Sequence, residues 1–256
     1  MVKGIDSFRT HFTAYSYNYV LIGGTAATLA MEEVGADFRA TKDLDIVLCI
    51  EALDKEFAQA FWKYVKAGGY ENRQKSTGNR LFYRFYAPRN PEFPEMLELF
   101  SRVPDALQIA DDSHLTPIPV GEEVSSLSAI LLNDDYYSLI HERKRKVDGL
   151  TMIGPECLIP LKARAYIDFY ERKQAGETID SRDIKKHRND IFRLFTILAP
   201  YAKPIVSSEI KQDLSKAFDL LENENVHLES LGITGKSVSS VLAELNTFYG
   251  LGAASE

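Results

Sequence analysis

Cysteine is scarce in this chain: Cys49 and Cys157 are too few for a disulfide framework or a zinc site, and both read as reduced thiols. Long apolar runs are missing as well. None approaches the roughly 18 to 20 unbroken residues of a membrane helix. The opening MVKGIDSFRTHF lacks the apolar core of a secretory signal, so a cytoplasmic protein with no membrane partner is expected. Positive charge is in deficit, with 30 Lys and Arg against 37 Asp and Glu and a net charge of −7. That balance argues against a general nucleic-acid binder, whose nonspecific affinity comes from clustered cations, although a local basic surface is compatible with it. The five histidines are dispersed without metal-ligand spacing. No Gly-x-Ser-x-Gly or Cys-His arrangement offers a covalent nucleophile, and no internal repeat is present.

What the chain does have is an ordinary globular composition, 45% apolar and 26% charged, over 256 residues, enough for two units. Residues 6 to 18 predict a short helix, Tyr19 to Ile22 a strand, and Gly24 to Val34 a helix closed by Gly35. Asp43 to Ile50 reads as a strand. EALDKEFAQAFWKYVKAGG spaces Leu53, Phe57, Phe61, Tyr64 and Val65 at helical intervals and ends on a double glycine. Further strands are expected at Leu81 to Tyr86, Met96 to Phe100, Leu115 to Val120 and Leu127 to Leu132. Pro88, Pro91 and Pro94 confine the connection before Met96 to a loop. Helical patterns then take over, at Asp135 to Lys146, Pro155 to Lys173, Ser181 to Leu198, Ser207 to Leu221 and Lys236 to Tyr249. The expected class is α+β: a mixed β-sheet flanked by helices in residues 1–134, followed by a mainly α-helical domain in residues 135–256. In this reading the run HERKRK, residues 141 to 146, is a solvated helix end whose cations complement the dipole.

The stretch VLIGGTAATLAMEEVGADFRATKDLDIVL, residues 20 to 48, carries the first functional signal. A strand, a Gly-Gly turn and a helix expose the N–H groups of the first helical turn at the positive end of the dipole, a place suited to phosphate. Gly23 and Gly24 let a ligand approach the backbone, and Thr25 adds a hydroxyl. Taken alone, the pattern is equally a tight strand-to-helix turn. Asp43 and Asp45 lie on one face of the following strand because side chains alternate. At 4 to 6 Å their charges repel by roughly 3 to 4 kcal/mol at an effective dielectric constant near 20, so a cation is expected beside them. Hard carboxylate oxygens suit Mg²⁺ or Mn²⁺; a solvated acidic strand end is the plainer alternative. In EMLELF, Glu98 is a third acid, set between Leu97 and Leu99 in a strand-forming run where a carboxylate is seldom buried alone.

Ile22-Gly23-Gly24, Asp43-Leu44-Asp45 and Leu97-Glu98-Leu99 together resemble the nucleotidyltransferase superfamily that includes polymerase beta. The fuller pattern, Gly23-Gly24-Thr25 with Arg39-Ala40-Thr41-Lys42-Asp43-Leu44-Asp45, resembles the AbiEii-type nucleotidyltransferase-like proteins, among them toxins of type IV toxin-antitoxin pairs. The resemblance covers the first hundred residues. It departs in one respect: the 18 residues between Gly24 and Asp43 make a longer connection than the superfamily's usual one. The resemblance implies a nucleotidyltransferase fold, Mg²⁺ or Mn²⁺ held by Asp43, Asp45 and Glu98 as catalytic acids, and a nucleoside triphosphate gripped by Gly23, Gly24 and Thr25. It also implies transfer of a nucleoside monophosphate to an acceptor such as tRNA, and a possible antitoxin partner.

In the helical half, Lys162 lies within the apolar stripe of Leu158, Leu161, Ala165 and Phe169. Spacing leaves two readings open, a stem lying along the apolar face with its ammonium in water and an ammonium aimed at a phosphate. Asp190 sits at the shoulder of the stripe formed by Ile184, Ile191, Phe195 and Leu198. Leu161-Lys162 and Asn189-Asp190-Ile191-Phe192 resemble the lysine and aspartate motifs of AbiEii-type proteins, which implies nucleotide contact for both residues. The final fifty residues carry no such likeness. Two other functions compete: a dinucleotide-binding oxidoreductase, with Val20 to Ala26 as a degenerate Rossmann turn, and a catalytically silent nucleotide-binding protein.

Overall fold

Four bulky apolar residues in a row, Tyr19–Ile22, are too few for a helix and form strand β1, every one of them buried. The computed structural model describes residues 2–49, 54–71, 82–100 and 133–252. The chain divides into two units, Met1–Leu132 with Ile140–Gly154, and Asn133–Leu139 with Pro155–Glu256. The strands expected at 115–120 and 127–132 lie outside the described residues.

In the first unit, helix α1 (Ile5–Phe12) precedes β1, and helix α2 (Gly23–Glu33) leaves β1 directly. Strand β2 (Asp43–Leu48), helix α3 (Lys55–Gly68), and strands β3 (Phe82–Tyr86) and β4 (Met96–Phe100) follow. Asp54 caps α3 by accepting from the Phe57 N–H at 2.7 Å, and Gly69 ends it in the left-handed conformation, φ 64°. The helix Asp134–Arg143, here α4, runs into a hairpin of β5 (Arg145–Val147) and β6 (Leu150–Met152). The sheet order is β3-β4-β2-β1-β6-β5, with β2 parallel to β4 and β1 parallel to β6. The remaining neighbours are antiparallel. The class expected from sequence is therefore observed, a mixed sheet with early helices followed by a mainly helical region.

The hairpin departs from the reading of HERKRK as the end of a helix. Asp148 and Gly149 both take positive φ, 46° and 81°, which is what a two-residue turn between right-twisted strands requires. The cations then bond within the first unit: Arg145 with Glu33, Lys146 with the Ser16 hydroxyl at 3.1 Å, and Lys144 with the Cys49 thiol at 3.6 Å. Asp-Gly between strand-forming runs was the signal in the sequence.

Register decides which side of the sheet is dry. Tyr19, Leu21, Ile46, Leu48, Leu97, Leu99 and Phe85 share one face by pairing. An aromatic cluster of Phe8, Phe12, Phe57, Phe61 and Tyr64 covers that side, with Phe8 edge-on to Tyr19 at 5.2 Å and Phe61 against Phe85 at 5.7 Å. Alternation therefore sends Asp43, Asp45, Glu98 and Arg84 to the opposite face.

The second unit contains helices α5 (Pro155–Gln174), α6 (Ser181–Phe195), α7 (Ser208–Glu222) and α8 (Val238–Tyr249). Helix α5 carries Pro160 in its interior. A proline has no N–H to give the carbonyl four residues earlier, and the Tyr249 hydroxyl donates to that carbonyl, Glu156 O, at 3.0 Å instead. The Tyr136 hydroxyl (2.8 Å) and Arg164 (2.8 Å) likewise satisfy the mostly buried carboxylate of Asp213.

Candidate functional site

Helix α2 starts without a capping side chain of its own, because Ile22 occupies the N-cap position. Its cap comes from the neighbouring strand. Ile22 pairs with Asp45, and the Asp45 Oδ2 accepts the Gly24 N–H at 3.3 Å. Gly23 turns the chain with φ 64°, and a Cβ there would lie 1.8 Å from Asp45 Oδ2. Both the backbone conformation and the close carboxylate therefore demand glycine at that position. A Cβ on Gly24 would meet Thr41 Oγ1 at 2.7 Å and an Arg39 nitrogen at 3.3 Å. Thr25 is fully buried, and its hydroxyl donates to the Asp43 carbonyl at 2.6 Å, fastening α2 to the start of β2.

Across the sheet, Asp45 pairs with Glu98 on β4, and Glu98 pairs with Arg84 on β3. The result is one row: the Gly24 N–H, the Asp45 carboxylate, the Glu98 carboxyl and the Arg84 guanidinium. Arg84 reaches Glu98 Oε1 through Nε at 2.8 Å and Nη2 at 2.6 Å. Glu98 is 9% exposed. Burial pushes its carboxyl up to about 8, the Asp45 charge and a hydrogen bond shared with Asp45 push the same way, and Arg84 opposes them. The Glu98 carboxyl is thereby held toward its protonated form.

Asp43 shares this face two residues along β2 but does not complete a cluster with the other acids. Among the described residues, no three of His, Cys, Asp and Glu gather closely enough to hold a metal ion unaided. Of the three acids expected to converge, Asp45 and Glu98 meet in register and Asp43 stands two residues along β2 on the same face. Strand neighbours on one face are spaced by two residues along the chain, and Asp45 has turned toward the Gly24 N–H. Arg84 is the residue that sequence reasoning missed. The signal was present, a charge inside the aromatic run FYRFY, of the same kind that singled out Glu98.

In the second unit, Lys162 and Asp190 meet as an ion pair at 2.9 Å, with side chains 6% and 0% exposed. Arg193 lies 4.0 Å from the other Asp190 oxygen. Breaking such a pair from one side strands a buried charge. Asp190→Ala is accordingly expected to destabilise the fold by about 3 kcal/mol, measured by urea unfolding. Replacing the pair together by Lys162→Met and Asp190→Leu is expected to recover most of that loss.

A groove of about 1330 Å³ lies in the first unit between α1, α3 and the segments leading into β2 and β4. Thr41, beside Gly24, belongs to its lining, as do Lys42, Lys63 and Tyr64. Chemically, the acid row can receive a divalent cation at its carboxylates and a phosphate at its N–H end. The chain matches no protein-family model and no curated protein. Among solved structures it is similar to an antigenic nucleotidyltransferase-like protein from Paracoccidioides brasiliensis, at 15% identity over 92% of this chain and 96% of that one, with a TM-score of 0.43. A likeness of that size carries no functional weight, so function rests on the residues. Among the described residues no helix is long and apolar enough to cross a membrane.

Proposed function

We propose that the chain is a metal-dependent nucleotidyltransferase that moves a nucleoside monophosphate from a nucleoside triphosphate to an acceptor. One observation carries this reading: the Asp45 carboxylate stands simultaneously against the N–H of a glycine-built helix N-terminus and, in register across the sheet, beside a second acid, Glu98. In the reaction the acceptor's hydroxyl oxygen bonds to the α-phosphorus. The bond from that phosphorus to the bridging oxygen breaks, and pyrophosphate leaves.

The donor set fits Mg²⁺ or Mn²⁺. The oxygens are hard, and two acids, Asp45 and Glu98, stand in register across the sheet. Mg²⁺ ordinarily binds through one or two carboxylates and completes its shell with water and substrate phosphates, so a two-acid seat suffices. Asp45, with Glu98 across the sheet and Asp43 two residues along β2, would hold the ion, which supplies charge neutralisation for the phosphate oxygens. Glu98, once its own proton is lost, would take the acceptor's proton or add a further oxygen ligand. Gly23 and Gly24 present the helix N-terminus to the outer phosphates, and Thr25 fixes the Asp43 backbone beneath them.

The motif resemblance supports tRNA as acceptor and a toxin's role with an antitoxin partner; a protein hydroxyl or a small molecule are the other acceptor classes. Incubating the protein with each labelled triphosphate, Mg²⁺ and total RNA or extract, with Asp43→Ala as control, identifies the acceptor by which molecule takes up label. Absence of label in every fraction overturns the enzymatic reading. A silent nucleotide-binding protein is the second reading, favoured by the way Arg84 and Gly24 already satisfy the acids. Thermal stabilisation by triphosphate and Mg²⁺ without product distinguishes it. The oxidoreductase alternative fails on topology, since β1 and β2 are antiparallel and a dinucleotide turn opens a parallel βαβ unit.

A further inference from the structure

Arg84 stands on β3, the end strand of the sheet among the described residues, and closes the row of Gly24, Asp45 and Glu98 in register. Its neighbour Phe85 faces the aromatic core, so alternation places the guanidinium on the side of the acids. Two of its nitrogens converge on a single oxygen of Glu98, at 2.8 and 2.6 Å, and two donors on one atom resist rotation of the carboxyl more firmly than one. The Glu98 side chain is 12% exposed and that of Arg84 29%, so the guanidinium approaches the buried acid from the wetter rim of the sheet. By contrast, Arg9 meets Asp6 and Asp148, acids that stand far out in solvent, where an ion pair adds little.

Resting on the nucleotidyltransferase reading, we propose that Arg84 is a positioning residue for the cation seat: it holds Glu98 level with Asp45 so that the acids present their oxygens together. Partners of this kind behind a metal's ligands typically carry about a 10- to 100-fold effect on affinity when removed. The competing role, a plain counter-ion, has the opposite sign. Removing a positive charge beside two acids would then tighten cation binding.

The test uses the full chain and Mn²⁺ alone, with free Mn²⁺ read by electron paramagnetic resonance. Wild type, Arg84→Ala, Arg84→Lys and, as the reference for a lost seat, Asp45→Asn are compared after circular dichroism has verified each fold. Arg84→Ala is expected to weaken Mn²⁺ about 10- to 100-fold. Arg84→Lys should weaken it less, and added guanidinium at non-denaturing concentration should restore part of the Arg84→Ala loss, a rescue that a generally loosened structure would not give. If Arg84→Ala fails to fold, the comparison of Arg84→Lys with wild type decides by its sign. Unchanged or tighter Mn²⁺ binding in the folded variants overturns the positioning role while leaving the cation site itself intact. Wild type that binds no more Mn²⁺ than Asp45→Asn removes the site, and Arg84's role with it.

Discussion

Asp45→Ala is expected to lower nucleotidyl transfer by about 10³-fold or more, measured as label incorporated from the triphosphate, with the far-ultraviolet circular dichroism unchanged. The side chain is the one point at which the helix N-terminus and the acid pair meet, so its removal takes away a cation ligand and the partner of Glu98 together. Stability should move little. Loss of the cap on Gly24 costs about 1 kcal/mol, while relief of repulsion with Glu98 acts the other way. Asp43→Ala is expected to give the same loss of transfer and to be gentler on the fold, because Thr25 bonds to the main-chain oxygen of residue 43, which alanine keeps. Wild-type turnover in either variant would remove the assignment of these acids to the reaction.

Glu98→Gln is expected to abolish transfer and to make the protein more stable. The carboxyl has a folded-state value of about 8 against an ordinary 4.5. Its contribution to stability is therefore fully present below about pH 4.5 and is lost as pH rises through about 8, because the folded state must then release a proton it holds more tightly than the unfolded chain does. Glutamine imitates the protonated acid, accepting from Arg84 and donating to Asp45, and does not titrate. The variant's melting temperature should match that of wild type near pH 4.5 and exceed it increasingly toward pH 8, by about 4 kcal/mol there, or roughly ten degrees in a protein of this size. A difference that is constant with pH, or that grows as pH falls, would contradict the proton held on Glu98. Transfer that survives in this variant would make Glu98 a structural acid only.

Legibility from sequence followed the range of the interaction. Gly23-Gly24 and Asp43-Leu44-Asp45 were readable because a turn and a two-residue period are local properties. Glu98 was readable as an acid among apolar neighbours, and the same test applied to FYRFY would have found Arg84. Attention to acids as cation ligands left a basic strand residue out. That Asp45 caps Gly24 was not readable, since it depends on the pairing of Ile22 with Asp45 across an antiparallel ladder. Spacing alone left Lys162 open between solvent and a phosphate; its meeting with Asp190 depends on how α5 and α6 dock. The hairpin at residues 145 to 152 was obscured because Lys and Arg favour helices, and the weight given to them outran the short Asp-Gly signal.

The hydroxyl of Tyr249 and the ring of Pro160 have a genetic consequence. They lie 89 positions apart, yet each makes sense only with the other, since the ring leaves a carbonyl wanting and the phenol supplies it. Exchanging the proline for a residue with an N–H frees the tyrosine to drift to phenylalanine, whereas the reverse order passes through an intermediate with an orphaned acceptor. Change at the two positions is thus directional, and helix α8 is tied through its tyrosine to the proline near the start of α5.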